Sequence, residues 1–155
     1  MAAGTLLIGY GNPGRGDDGL GPALARRIAA RELPGVTVEI DYQLTVEHAL
    51  LIASAATVVF ADAALDADQP FYFRAIEEAG GQSLGSHSVS PPDALALARL
   101  LFGARTRGFV LGLRGACFGE MAEGLSPTAL RSLAAAESFF LGWHEAEGQG
   151  LPISG

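Results

Sequence analysis

Four side chains stand where a short chain can assemble polar chemistry: Asp17 and Asp18 in a glycine-rich turn, Asp62 at the end of an apolar run, and His87 in the polar loop Gly85-Ser86-His87-Ser88. The turn reads Gly9-Tyr10-Gly11-Asn12-Pro13-Gly14-Arg15-Gly16-Asp17-Asp18-Gly19-Leu20. Its glycines alone would suit a phosphate cradle, but two adjacent carboxylates would face the anion that such a cradle holds. A carboxylate pair there is suited to a cation instead. Two carboxylates and one imidazole, with positions left open for water or for a partner's ligands, match the donor preferences of a divalent transition metal. Asp18, Asp62 and His87 are therefore the candidate metal-contacting and catalytic residues, and Gly11, Asn12 and Asp17 are expected to shape the turn or meet substrate.

Each residue also has a plainer role. An aspartate at this position can cap the helix that follows, and Asp17 is expected to do so. Asp62 alone would be a turn-forming aspartate. His48 is read as a surface residue beside Glu47, His144 as structural or solvated near the end of the last helix, and Cys117 as a small buried thiol. Gly9-x-Gly11-x-x-Gly14 has the spacing of a dinucleotide fingerprint, with Glu39 or Asp41 as the ribose-binding acid. That fingerprint requires a helix opening at its third glycine, and Arg15-Gly16-Asp17-Asp18 intervenes here. No Gly-x-Ser-x-Gly elbow occurs, so the serines near His87 do not read as a hydrolase nucleophile.

These residues need a frame. The 155 residues suffice for one domain with its own core, read as 1–147 followed by a loose tail at 148–155. Residues 5–10, 36–41, 56–63 and the segment RGFVLGLRG read as strands, and residues 70–77 as an edge strand or irregular. Helices are expected over GLGPALARRIAARE, over TVEHALLIASA with Thr45 as cap, from about Pro92 to Phe102, and from a Ser126 cap with Pro127 in its first turn. Alternating strands and helices predict an α/β, three-layer αβα fold with an open, mostly parallel twisted sheet of about five strands. Ligands of such sheets sit outside the carboxyl ends of the strands, which would bring Asp18 and Asp62 to one edge.

The net charge is −7 and all ten basic residues are arginine. That balance opposes nucleic-acid binding. No stretch is long and apolar enough to span a bilayer, a signal-peptide pattern is lacking, and a single cysteine allows no internal disulfide. A cytoplasmic monomer with neither nucleic-acid nor membrane partners is expected.

The turn IGYGNPGRGDDGLGPALARRI resembles the opening signature of the hydrogenase maturation proteases, Gly-x-Gly-Asn followed by Asp-[Asp/Glu]-Gly-x-Gly, at Gly9, Gly11, Asn12, Asp17, Asp18, Gly19 and Gly21. Asp62-Ala63, the series His87, Asp93 and Leu95, the run Gln43, Leu44 and Glu47, and Glu123 to Ser126 are similar to further elements of that family. FGEMAEGLS is longer than the family's simple closing run, and residues 64–77 have no clear counterpart. The resemblance implies an endopeptidase that removes the C-terminal extension of a nickel–iron hydrogenase large-subunit precursor. Nickel carried by the substrate would be the recognition signal, contacted by Asp18, Asp62 and His87, with cadmium or zinc able to occupy the site in vitro. Some relatives have glutamate at the position of Asp18, so the carboxylate here sits back by about one bond length, roughly 1.5 Å. Two other readings stay open. Gly11-Asn12-Pro13-Gly14 is similar to a piece of peptidyl-tRNA hydrolase, without the Thr-Arg-His-Asn run that supplies its histidine, and a non-enzymatic nucleotide- or metal-binding module would use the same turn.

Overall fold

The computed structural model describes residues 3–65, 67–77, 89–119 and 123–148. His87 and the 149–155 part of the expected tail lie outside them. Five strands form one sheet: β1 (Thr5–Tyr10), β2 (Val36–Asp41), β3 (Thr57–Ala64), β4 (Phe71–Ala75) and β5 (Arg107–Arg114), in the order β2-β1-β3-β5-β4. All pairs are parallel except β4 with β5. Helices α1 (Leu20–Ala30), α2 (His48–Ala53), α3 (Pro91–Phe102) and α4 (Pro127–Gly148) complete the fold. This is the α/β sandwich that the alternation of elements predicts.

Strand side chains alternate between two apolar layers, the periodicity of a sheet covered on both faces. Leu7, Val59, Ala61, Leu111 and Leu113 pack with Leu24 and Ile28 of α1 and with Leu133, Phe140 and Trp143 of α4. Leu6, Ile8, Val58 and Phe60 point the other way, toward Ala49 and Ile52 of α2 and Leu95 and Ala98 of α3. Chain direction decides which layer each crossover covers. From β1 the chain crosses one face through α1 to β2, then returns over the opposite face through α2 to β3. A crevice opens where those paths diverge, at the carboxyl ends of β1 and β3. Gly21 seats α1 tightly there, because a Cβ on it would lie 2.4 Å from the Ala61 carbonyl oxygen.

Within residues 70–77, ambiguous in sequence, Phe71–Ala75 forms the antiparallel edge strand. Phe71 and Phe73 anchor it against Phe139, and Phe73 also meets Phe109 and Trp143 at centroid distances of 4.8 and 5.5 Å. Capping differs in part from expectation. Ser126 does cap α4, accepting the Ala129 N–H at 3.1 Å, and Ser90 with Asp93 forms a capping box on α3. Thr45 lies ahead of α2 and accepts the Glu47 N–H without being its terminal cap residue. Asp17 caps nothing. Residues Gly16–Gly19 form a 3₁₀ turn, α1 starts after Gly19 with no side-chain cap, and the Asp17 carboxylate serves a distant segment.

One charged clasp ties the layer of α1 and α4. Glu137 accepts from Arg27 at 3.0 Å and from Arg31 at 2.9 Å. Burial alone would push its carboxyl up, but the two guanidiniums outweigh burial and hold it below the usual range. A carboxyl lowered in the folded state contributes above its unfolded pKa and loses that contribution as pH falls through the folded value. Glu137→Gln is therefore expected to cost about 1 kcal/mol at neutral pH. The difference should fade as pH drops through the lowered folded-state value. Urea titrations of both proteins across pH test this, and a pH-independent difference would assign the loss to packing.

Candidate active site

Strand β1 delivers Tyr10 to the sheet edge and then turns. Gly11 sits at φ +145°, and a Cβ there would lie 2.0 Å from the Asp18 carbonyl oxygen, so only glycine fits. The Gly11 N–H donates to the Asp41 carbonyl at 3.1 Å, which ties the turn to the end of β2. Asn12 folds over it: its side-chain oxygen accepts the Gly14 N–H at 2.9 Å, and its own N–H donates to Asp18 Oδ2 at 2.7 Å. The Asp18 carboxylate is thereby aimed, with its other oxygen free of hydrogen bonds among the described residues.

Asp62 lies inside β3, which continues two residues beyond it to Ala64. It shares the sheet face of Val58 and Phe60, on the row shared by Tyr10 of β1 and Gly112 of β5. The Tyr10 hydroxyl donates to Asp62 Oδ2 at 2.9 Å. Burial pushes the Asp62 carboxyl up, against the bonds from Tyr10 and the Ala63 amide, and the Asp18 charge pushes it further. Tyr10 is likewise pushed well above the usual phenol range, by burial first and by Asp62 next, so it remains a proton donor at any ordinary pH. Tyr72, opposite Gly112 on β4, extends the row, with the Arg74 guanidinium 4.2 Å from its ring centroid. Asp18 and Asp62 thus meet at the β1/β3 crevice as a half-buried pair of like charges. Such a pair is unfavourable until a proton or a cation relieves it.

Asp17 points the other way and is fully buried. Its Oδ2 accepts the Ala116 N–H at 2.7 Å, the Cys117 N–H at 2.9 Å and the Ser126 hydroxyl at 2.6 Å, while Oδ1 accepts the Ser126 N–H at 2.8 Å. Burial would raise this carboxyl, but the Ser126 hydroxyl and the three amides together hold it below the usual range. The neighbouring aspartates therefore do different work: Asp18 faces the crevice, and Asp17 pins the turn to the approach of α4.

No family model matches the chain, and no curated protein matches it in sequence. Solved structures do match it. The hydrogenase maturating endopeptidase HybD from E. coli superposes with a TM-score of 0.73 at 20% identity, covering 94% of each chain. The chain has the fold of the hydrogenase maturation endopeptidases. A nickel–iron hydrogenase maturation protease, HycI from Thermococcus kodakarensis, gives a TM-score of 0.67 at 20% identity over 92% of this chain and 90% of its own. An uncharacterized protein from Wolinella succinogenes gives 0.65 at 22% identity over 94% and 97%.

Several side chains of this endopeptidase fold stand elsewhere than the sequence suggested. His48 is not on the surface; it is 3% exposed. Its Nδ1 accepts the Thr45 N–H at 3.0 Å, and its Nε2 lies 3.5 Å from Asp41 Oδ2. Glu39, Asp41 and His48 place ligand-type atoms within 4.8 Å of one another, a cluster the sequence did not reveal. An Nδ1 that accepts a backbone N–H keeps the ring proton on Nε2, directed at the carboxylates, so the imidazole acts as a hydrogen-bonding strut and not as a ligand. Cys117 is exposed where a buried thiol was expected, because its backbone and not its sulfur is engaged with Asp17. Tyr10 was missed altogether. Its only signal was parity, since it falls on the same strand face as Leu6 and Ile8.

The dinucleotide reading fails on geometry. Helix α1 begins at Leu20, and the acidic 3₁₀ turn occupies the place where a pyrophosphate would meet a helix start. No described helix is long and apolar enough to cross a membrane.

Proposed function

We propose that this chain is an endopeptidase that removes the C-terminal extension of a nickel–iron hydrogenase large-subunit precursor after nickel insertion. The observation that carries the reading is the convergence of Asp18 and Asp62 at the β1/β3 crevice of a fold that HybD shares over 94% of both chains. Asp18 is aimed by the Asn12 amide and Asp62 by the Tyr10 hydroxyl. Two positioned carboxylates supply an incomplete donor set, which suits a metal that the substrate itself brings, with His87 as the further ligand implied by the family resemblance. Loaded on the substrate, nickel would polarise the scissile carbonyl. One carboxylate takes a proton from the attacking water and returns it to the leaving amine, so that an acid and an amine are released.

The test is the intact mass of large-subunit precursors from the same organism, prepared with and without nickel, before and after addition of the protein. Loss of a C-terminal peptide from the nickel-loaded form alone is the expected result. If no nickel-loaded precursor is shortened, the reading is wrong. Cleavage of nickel-free precursor would remove nickel as the signal while leaving a peptidase.

A further inference from the structure

Asp62 has a neighbour on each side of its row. On β1 that neighbour is Tyr10, whose hydroxyl donates to Asp62 Oδ2 at 2.9 Å. On β5 it is Gly112, which has no side chain to flank the carboxylate. Tyr72 fills the space instead. It pairs with Gly112 from β4 and leans across β5, so that a Cβ on Gly112 would lie 2.3 Å from Tyr72 Cε2 and Cζ and 2.7 Å from its hydroxyl oxygen. Glycine is what admits the phenol there. Neighbouring strands run about 4.8 Å apart, so the phenol takes the place beside Asp62 that a side chain at position 112 would take.

Two further observations bear on the ring. Arg74, two residues along β4 and therefore on the same face, holds its guanidinium 4.2 Å from the ring centroid. Tyr10, pushed up by burial first and by Asp62 next, is also pushed up by Tyr72, so the two phenols act on each other across the carboxylate. A hollow of about 430 Å³ opens beside the ring, lined by Tyr72 with Ala67, Asp68, Gln69, Phe71 and Arg74. All of these belong to β4 or to the residues leading into it. The ring thus stands between that hollow and the row that carries Asp62.

We infer that Tyr72 is a positioning residue: its ring, admitted by Gly112 and held by Arg74, walls the Asp62 carboxylate on the β5 side and keeps it on the Tyr10 hydroxyl. The inference rests on the peptidase reading and extends its machinery from β1 and β3 to β4 and β5. Without the ring, water from the hollow competes with the Tyr10 hydroxyl for Asp62 Oδ2, and the carboxylate gains rotamers that point out of the crevice. A reacting group displaced in this way slows the chemical step while substrate binding is kept. The loss therefore belongs to kcat.

The experiment measures processing kinetics of a nickel-loaded precursor by the wild-type protein, Tyr72→Phe, Tyr72→Ala, Gly112→Ala and the double variant Tyr72→Ala/Gly112→Ala. Gly112→Ala moves the ring without removing it. The atoms in the way of its methyl are the far end of a long side chain, which can swing aside while the fold is kept. Tyr72→Ala and Gly112→Ala are each expected to lower kcat about tenfold with KM within about twofold, and Tyr72→Phe to stay within about threefold of wild type. The double variant should lose no more than Tyr72→Ala alone, because the methyl then has no ring to displace. In the metal-free protein, exchange of the Tyr10 hydroxyl proton, followed by NMR, should quicken in Tyr72→Ala and Gly112→Ala and not in Tyr72→Phe. An unchanged kcat in Tyr72→Ala, with normal wild-type cleavage, overturns the wall and leaves the peptidase standing. Tyr72→Phe falling as far as Tyr72→Ala, or a fall in kcat with the Tyr10 proton still protected, also overturns it. A wild-type protein that cleaves no precursor overturns both readings.

Discussion

Asp62→Asn is expected to lower cleavage of a nickel-loaded precursor by about a hundredfold or more while raising the melting temperature of the metal-free protein by a few degrees. The two effects have one cause. Asp62 is a largely buried carboxylate facing Asp18, and burial and the Asp18 charge both disfavour its ionised form. An amide of the same shape still accepts from the Tyr10 hydroxyl but carries no charge to repel Asp18, so the folded state is relieved. The same change takes away a carboxylate that the substrate's metal and the attacking water need, and catalysis falls. Asp18→Asn should behave alike, since the Asn12 N–H still finds an oxygen to donate to. Tyr10→Phe keeps both carboxylates and removes only the group that orients one of them, so a loss of roughly tenfold to a hundredfold is expected. Intact-mass kinetics and calorimetry on the same preparations check the series. Cleavage within threefold of wild type in both aspartate variants would remove these residues from the reaction.

The parts of this site legible in sequence were those set by local pattern. The apolar runs at 5–10 and 56–63 announced buried parallel strands, and the carboxyl-end rule then brought Asp18 and Asp62 to one edge without knowledge of the register. The illegible parts were long-range pairings. Tyr10 reaches Asp62 across 52 residues, and nothing in the run TLLIGY distinguishes a phenol bound to a carboxylate from one in solvent. His48 looked exposed because α2 is only six residues long, too short for its periodicity to show which side meets the sheet. The partner its outer nitrogen faces, Asp41, stands at the end of a different element. Asp17 misled most. An aspartate just before a helix satisfies every local rule for a cap, and the partners that claim it instead lie 99 to 109 residues further along the chain.

That long reach makes Asp17 the residue whose loss should unfold the most. Asp17→Ala strips one acceptor from four donors at once: the amides of Ala116, Cys117 and Ser126 and the Ser126 hydroxyl. Cys117 is exposed, so water recovers part of the loss for its neighbourhood, but the pocket of a fully buried side chain also stays behind. Together these give an expected cost of about 3–5 kcal/mol. At about 2–4 °C per kcal/mol for a chain of this size, the melting temperature should fall by roughly 10 °C. Asp17→Asn should cost less, because one oxygen still accepts while the new NH₂ meets amides that also donate. Activity separates this residue from its neighbour. Asp18→Asn should lose cleavage without losing stability; Asp17 variants should lose stability first, and lose cleavage because the turn that carries Asp18 is no longer pinned to the approach of α4. The Ser126 hydroxyl both donates to Asp17 and accepts the Ala129 N–H that caps α4, so the two side chains form one unit. A double-mutant cycle over Asp17→Ala and Ser126→Ala should therefore show a coupling of about 1 kcal/mol or more. Additive losses would mean that the turn and the start of α4 are held independently.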